Sequence, residues 1–284
     1  MNLTRSKKKD LLYVAVAAFF FLTACVLQTV DDYISDWSVK TTIALLTQYI
    51  FFGLLAYWTA SVISRISDKS ICSGIIVAIA LMGGILFVRL LKYHVFYDGT
   101  VMRYLWYSYY IPHCLAPAVL LITLLGMGRK DGKPLAKGWY LLFLPAAALI
   151  LLVFTNDLHE QVFSFAKGLK YSNEIYKWEW GYYFILSWIA VLYLSIGVLL
   201  YIKCRVSGCR KKAWIPLVLF IVCIVLCVLR EVFDPVFIRM PEAVVFSVVV
   251  VFESLIRIGF IPSNVNHEEL FYVADVSAGI ADKD

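Results

Sequence analysis

Charge is scarce in this chain. Asp, Glu, Lys and Arg make up 16% of its 284 residues, against about a quarter in an ordinary soluble domain. Motifs of known chemistry are missing as well. There is no P-loop, dinucleotide fingerprint, GxSxG elbow, HExxH or kinase signature. Neither a phosphoacceptor-His helix nor a Gly-rich ATP lid occurs. Seven cysteines include no CxxC and no pair in an outer connection, which argues against a disulfide framework and a zinc-thiolate site. No metal or cofactor is assigned. Small, soft packing residues is the better reading of the cysteines.

Apolar residues are what the chain has, at 62%. Eight segments, at about 20 residues each, are long enough to cross a hydrocarbon core. They lie at about 11–30, 41–64, 71–92, 104–127, 139–156, 182–203, 214–233 and 243–262. Backbone polar groups in lipid must be satisfied inside the segment, so runs this long and apolar are helices and not barrel strands. The expected fold is all-α, a polytopic transmembrane bundle. Arg5 and Lys7 to Lys9 precede the first segment, but Gln28-Thr-Val-Asp-Asp follows it in place of a small-x-small cleavage site. It reads as a retained helix.

Lys and Arg set the expected orientation. With residues 1–10 cytoplasmic, the inner connections 1–10, 65–70, 128–138 and 203–213 hold 15 basic residues, against Asp10, Asp68 and Asp131. The outer connections and helix ends hold 9 basic and 11 acidic residues. An even span count then puts both termini inside. The domain reading is a basic N-terminus (1–10), a helical bundle (11–262) and a cytoplasmic tail (263–284). The net charge of +6 follows from this topology and an anionic inner leaflet, and gives no argument for nucleic acid.

Polar residues within the spans gather near the outer face, where ionisable groups mark a site by default. Arg89 and Lys92 close segment three; Arg230, Glu231 and Asp234 end segment seven. Arg103, Tyr107 and Tyr110 share one helical face of segment four at i, i+4, i+7, and Trp106, Tyr110 and His113 share an adjacent one. Pro112 and Pro117 flank His113. It is either satisfied by a carbonyl those prolines free or is a ligand contact. Asn156, Asp157 and His159 sit where segment five ends. They read equally as a helix stop or as a ligand-contacting cluster. The connection 157–181 and the start of segment six carry Trp178, Trp180, Tyr182 and Tyr183, which suit an interfacial belt or a lid over an outer pocket. The candidate ligand contacts are Arg103, Tyr107, Tyr110, His113, Asn156, Asp157, His159, Trp178, Tyr183, Arg230 and Glu231.

Segment eight carries Glu253 and Arg257 at i, i+4, with Glu in the favoured N-terminal place. The bland reading is neutralisation within one helix, with Arg257 snorkelling to the interface. The sharper one turns Glu253 into the bundle, between two alternative partners, as a two-state coupling element together with Arg257 and Pro262.

Three stretches carry a resemblance. They are Arg103-Tyr-Leu-Trp-Tyr-Ser-Tyr-Tyr-Ile-Pro112 with Pro117, Thr155-Asn-Asp-Leu-His159 with Phe163, and Glu253-Ser-Leu-Ile-Arg-Ile-Gly-Phe-Ile-Pro-Ser-Asn264 with Leu270-Phe271. Together they resemble the seven-transmembrane N-terminal sensor region of bacterial membrane histidine kinases. The first helix would be an addition. The resemblance implies an environmental sensor in the bacterial cytoplasmic membrane. Its last helix would lead into a PAS-like linker, a dimerisation helix and an ATP-binding domain. The tail from Val273 to Asp282 looks like the first strands of that linker. Kinase activity is not carried over to these residues. The expected function is a non-enzymatic sensor in a two-component system. It would detect a small ligand or an envelope stimulus and relay it to a cytoplasmic output, within this protein or through a separate kinase. A dimer would suit that output. The alternatives are a small-molecule or ion transporter and an intramembrane acid–base enzyme using Asp157 and His159.

Overall fold

A computed structural model describes residues 2–66, 68–126, 135–165, 176–203, 212, 214–233 and 239–261. The helices are α1 (Asn2–Tyr33), α2 (Trp37–Arg65), α3 (Lys69–His94), α4 (Gly99–Ser108), α5 (Tyr110–Gly126), α6 (Phe143–Phe154), α7 (Asn156–His159), α8 (Trp180–Lys203), α9 (Trp214–Phe233) and α10 (Met240–Ile258). A hairpin joins strands β1 (Phe163–Phe165) and β2 (Tyr176–Trp178), antiparallel with Phe163 opposite Trp178. Among the described residues the expected all-α bundle therefore carries one small sheet, inside the connection 157–181.

Local chemistry accounts for most boundaries. Asp36, Asp68 and Asp98 open α2, α3 and α4, each accepting from two backbone N–H groups of the first turn at 2.8–3.3 Å. Such caps are worth about 1 kcal/mol each. The predicted span 104–127 starts earlier, at Gly99, and breaks at Tyr109 between α4 and α5. Pro112 is the physical reason, because it has no N–H to donate to the Ser108 carbonyl. The span 139–156 begins as a 3-10 turn over Lys137–Leu142 before α6. Pro145, which cannot bond the Leu141 carbonyl, falls in the first turn of α6, where proline is tolerated. α10 stops at Gly259, whose φ is 90°. Phe260 N–H reaches the Leu255 carbonyl at 3.0 Å and Gly259 N–H reaches Ile256 at 3.1 Å. With Phe260 and Leu255 both buried, this is a Schellman stop.

Six helical stretches are long and apolar enough to cross a membrane: Leu12–Asp31, Trp37–Arg65, Lys69–His94, Gly99–Gly126, Lys137–Phe154 and Trp180–Ile202. That is the make-up of a multi-pass helical membrane protein. α9 and α10 are the remaining two of the eight expected spans. α10 holds Glu242, Glu253 and Arg257 within 19 residues, a charge load that raises the cost of insertion. The described apolar part of α9 is Trp214–Cys223. Phe19 and Leu22 on α1, Leu144 and Leu151 on α6, and Leu194 and Ile202 on α8 are exposed, as suits a hydrocarbon solvent.

Two packed regions result. The larger joins α2, α3, α5, α8 and α10 around Phe51, Ile75, Ile85, Leu86, Leu120 and Ile256. α3 and α5 cross closely at Gly74, where a Cβ would overlap the Thr123 side chain of α5. The smaller region is aromatic and lies beneath the hairpin, around Tyr107 and Phe163. That side is the hairpin end of the bundle.

Candidate functional site

A cavity of about 1490 Å3 lies among α3, α4, α5, the hairpin, α8, α9 and α10. Its two ends differ in chemistry. At the hairpin end the wall carries Arg89, Lys92, Tyr109, Tyr110, His113 and Arg239. Away from it the wall is mostly apolar, built from one face of α8 (Ile189, Ile196, Leu200) and one of α10 (Val248, Val251, Leu255), with Tyr193, Tyr201 and Ser247 as its polar groups. Lining residues on α8 run from Tyr182 to Tyr201, about 28 Å at the helical rise. Among the described residues, no carboxylate lines the cavity.

The residues singled out from the sequence fall into two groups. Tyr110, His113, Trp178 and Tyr183 line the cavity. Arg103, Tyr107, Asn156, Asp157 and His159 instead form a brace that closes the hairpin end. Asp157 takes an ion pair from Arg103 at 2.7 Å and a hydrogen bond from the Tyr107 hydroxyl at 2.8 Å. Asn156 is fully buried. Its Oδ1 accepts from the backbone N–H groups of Val162 at 2.9 Å and Phe163 at 3.1 Å. Its Nδ2 donates to the Phe163 carbonyl at 2.9 Å and to the Tyr107 hydroxyl at 3.3 Å. His159 Nδ1 accepts from Gln161 N–H at 3.0 Å, and Nε2 meets the Thr155 hydroxyl at 3.2 Å. Glu160 beside it adopts φ 48°. The helical stretch therefore ends at Glu160, in the left-handed conformation, and Asn156, read as a possible stop, instead opens α7. The side chains of Arg230 and Glu231, and residue Pro262, lie outside the described residues.

The brace positions the hairpin. With Phe163 pinned by Asn156, the hairpin packs its aromatic face on Trp106, which lies 4.5 Å from Phe163 and 5.1 Å from Tyr176 between ring centroids. Trp178 stacks on Tyr182 at 5.0 Å and 21°. The chain then enters α8 so closely that a Cβ on Gly181 would meet the Gln161 carbonyl oxygen at 2.8 Å. Glycine is needed there for approach. His113 binds through Nδ1 to the Tyr109 carbonyl, at the α4–α5 break. That carbonyl is four residues before His113 and is not one freed by Pro112 or Pro117.

α10 is both a cavity wall and a braced helix. Near its start Glu242, fully buried, pairs with Arg89 of α3 and accepts from Gln48 of α2 at 3.0 Å. Arg239, just before it, pairs with the buried Asp31 of α1 at 3.1 Å. Eleven residues after Glu242, about three turns and so the same face, Glu253 meets α2. Arg65 holds both its oxygens, at 2.8 and 2.7 Å, and the Trp58 indole N–H donates at 3.0 Å. Arg257 adds a contact at 2.6 Å. Glu253 thus faces the bundle, but it keeps its two cationic partners together in this structure.

Sequence reasoning noted Arg89 and Lys92 without assigning them, and missed Tyr109, Arg239, Glu242 and Arg65. Glu242, a carboxylate at the start of a long apolar run, was a usable signal. The others depend on which helices become neighbours. The chain matches no family model, no curated protein and no solved structure.

Proposed function

We propose that this chain is a membrane-embedded sensor module. In this reading eight helices span a bacterial cytoplasmic membrane with both termini inside. A ligand or envelope stimulus acts on the cavity beneath the hairpin. The change travels through α10 to a cytoplasmic output, joined to this chain or separate from it. One observation carries the reading. α10 lines the cavity along its length and is tied on its α2-facing side at two levels, by Glu242 and by Glu253. A molecule filling the cavity bears on one side of α10 while the two braces resist from another. A ligand moves such a helix only by its differential affinity for the two positions. The Glu253 brace is partly exposed, so it is the weaker one and the one expected to yield.

The test uses a built-in ligand surrogate. Gly197 lines the cavity, and a Cβ added there meets nothing within 4 Å. In vesicle-embedded protein with other reactive cysteines replaced, a cysteine at Ile258 reports the end of α10. Gly197→Phe, which fills the cavity, and Glu253→Gln, which weakens the brace, should each change its labelling rate several-fold. Unchanged rates in both variants would sink the sensor reading.

Transport is the second reading, favoured by the length of the cavity, which reaches Tyr201 and Phe260 away from the hairpin. Solute flux in proteoliposomes, abolished by Gly197→Phe, would put it first. The acid–base enzyme has no comparable support, because Asp157 and His159 are engaged in the brace.

A further inference from the structure

The ligand itself has a chemical signature. Resting on the cavity as the ligand site, we propose that it takes an anionic membrane lipid. The phosphate sits at the hairpin end among Arg89, Lys92 and Arg239, and the acyl chains lie along α8 and α10.

Size is the first argument. At about 1490 Å3 the cavity exceeds the roughly 300–1,000 Å3 of pockets for drug-sized molecules. Its α8 wall, about 28 Å long, matches acyl chains better than a compact solute. Composition is the second. Beyond the hairpin end the wall is mainly aliphatic and aromatic, with Tyr193, Tyr201 and Ser247 as its few hydroxyls, and Gly197 widens it, so the long part offers little to a polar solute.

Charge is the third argument. Three cations lie on the wall at one end, and among the described residues no carboxylate does. Glu242 and Asp31 are near, but they pair with Arg89 and Arg239 without lining the cavity. A guanidinium carries five N–H donors, so the pair with Glu242 does not exhaust Arg89. Guanidinium groups suit phosphate oxygens, which they bind in bidentate fashion. The Tyr109 side chain adds a polar group at this end. Its hydroxyl is buried on this wall and has no hydrogen-bond partner among the described residues. Such a group ordinarily finds a partner, and a phosphate oxygen among three cations is a suitable one.

The source is the bilayer, not the aqueous phase. The test is native mass spectrometry of the detergent-solubilised chain, titrated with phosphatidylglycerol and with phosphatidylcholine of the same acyl chains. Phosphatidylglycerol should bind about tenfold tighter or more. Lys92→Gln removes one charged donor and should erase roughly tenfold of that preference. Gly197→Phe obstructs the chain path and should weaken both lipids. Equal affinity for the two lipids overturns the proposal. So does phosphatidylglycerol binding that survives Gly197→Phe, and this arm decides if Lys92→Gln does not fold. Displacement of the lipid by millimolar inorganic phosphate alone would assign a head-group anion site and refute the lipid. The labelling experiment at Ile258 is independent. Lipid selectivity with unchanged labelling leaves the lipid site standing and removes the sensor.

Discussion

Asn156→Ala separates the brace from a ligand contact. The substitution removes the acceptor of two buried backbone N–H groups, on Val162 and Phe163, and the donor to the Phe163 carbonyl. Val162 and Phe163 are fully buried, so water cannot readily replace those bonds. Each buried polar group left unsatisfied costs about 1–3 kcal/mol. Three groups bracket about 3–9 kcal/mol by that measure. The groups share one partner and relax together, so the lower end is expected, about 3–4 kcal/mol. At roughly 2–4 °C per kcal/mol for a chain near this size, thermal unfolding in detergent should fall by about 6–15 °C. Asn156→Asp keeps the oxygen that accepts from both N–H groups and loses the donor, while adding charge beside Asp157. Its loss should be intermediate. A melting point within about 2 °C of the native protein for Asn156→Ala would refute the brace and return Asn156 to the ligand.

Glu242→Gln should destabilise by about 3–5 kcal/mol, because it strands the buried Arg89 charge. The pair of changes Arg89→Met and Glu242→Met should recover most of that loss in the same melting assay, whereas a pair that contributes little would leave the single change near neutral. Gly74→Ala should cost about 1–3 kcal/mol by forcing α3 from Thr123 of α5. Gly197→Ala, which meets nothing, should leave stability unchanged or raised. Equal effects at the two glycines would contradict the packing described for α3 and α5.

Much of the candidate site was legible as residue types and little of it as roles. Tyr110 and His113 were placed on a common stretch of one helix by their spacing, and both line the cavity. Arg103 and Tyr107 shared that helix and the same reasoning, yet they point to Asp157. Helical spacing tells which side chains project together and is silent about what they meet. Glu253 shows the same limit. Its i, i+4 partner Arg257 could be read from the chain, but Arg65 is 188 positions away and is joined to it only because α2 and α10 pack together.

What the sequence determined by itself is local and solvent-driven. Long apolar runs force helices wherever the backbone must satisfy its own hydrogen bonds. Asp36, Asp68 and Asp98 start helices, Pro112 breaks one, and Gly259 ends another, each through bonds within a few residues. The tertiary structure decided the rest. Asn156 became a keystone because the hairpin folds back on it, and Glu242 became half of a buried pair because α3 lies beside α10. The cavity, with its cations gathered at one end, exists only between helices. Apolar side chains facing lipid and facing a cavity obey the same hydropathy, so pattern alone cannot tell them apart; packing does.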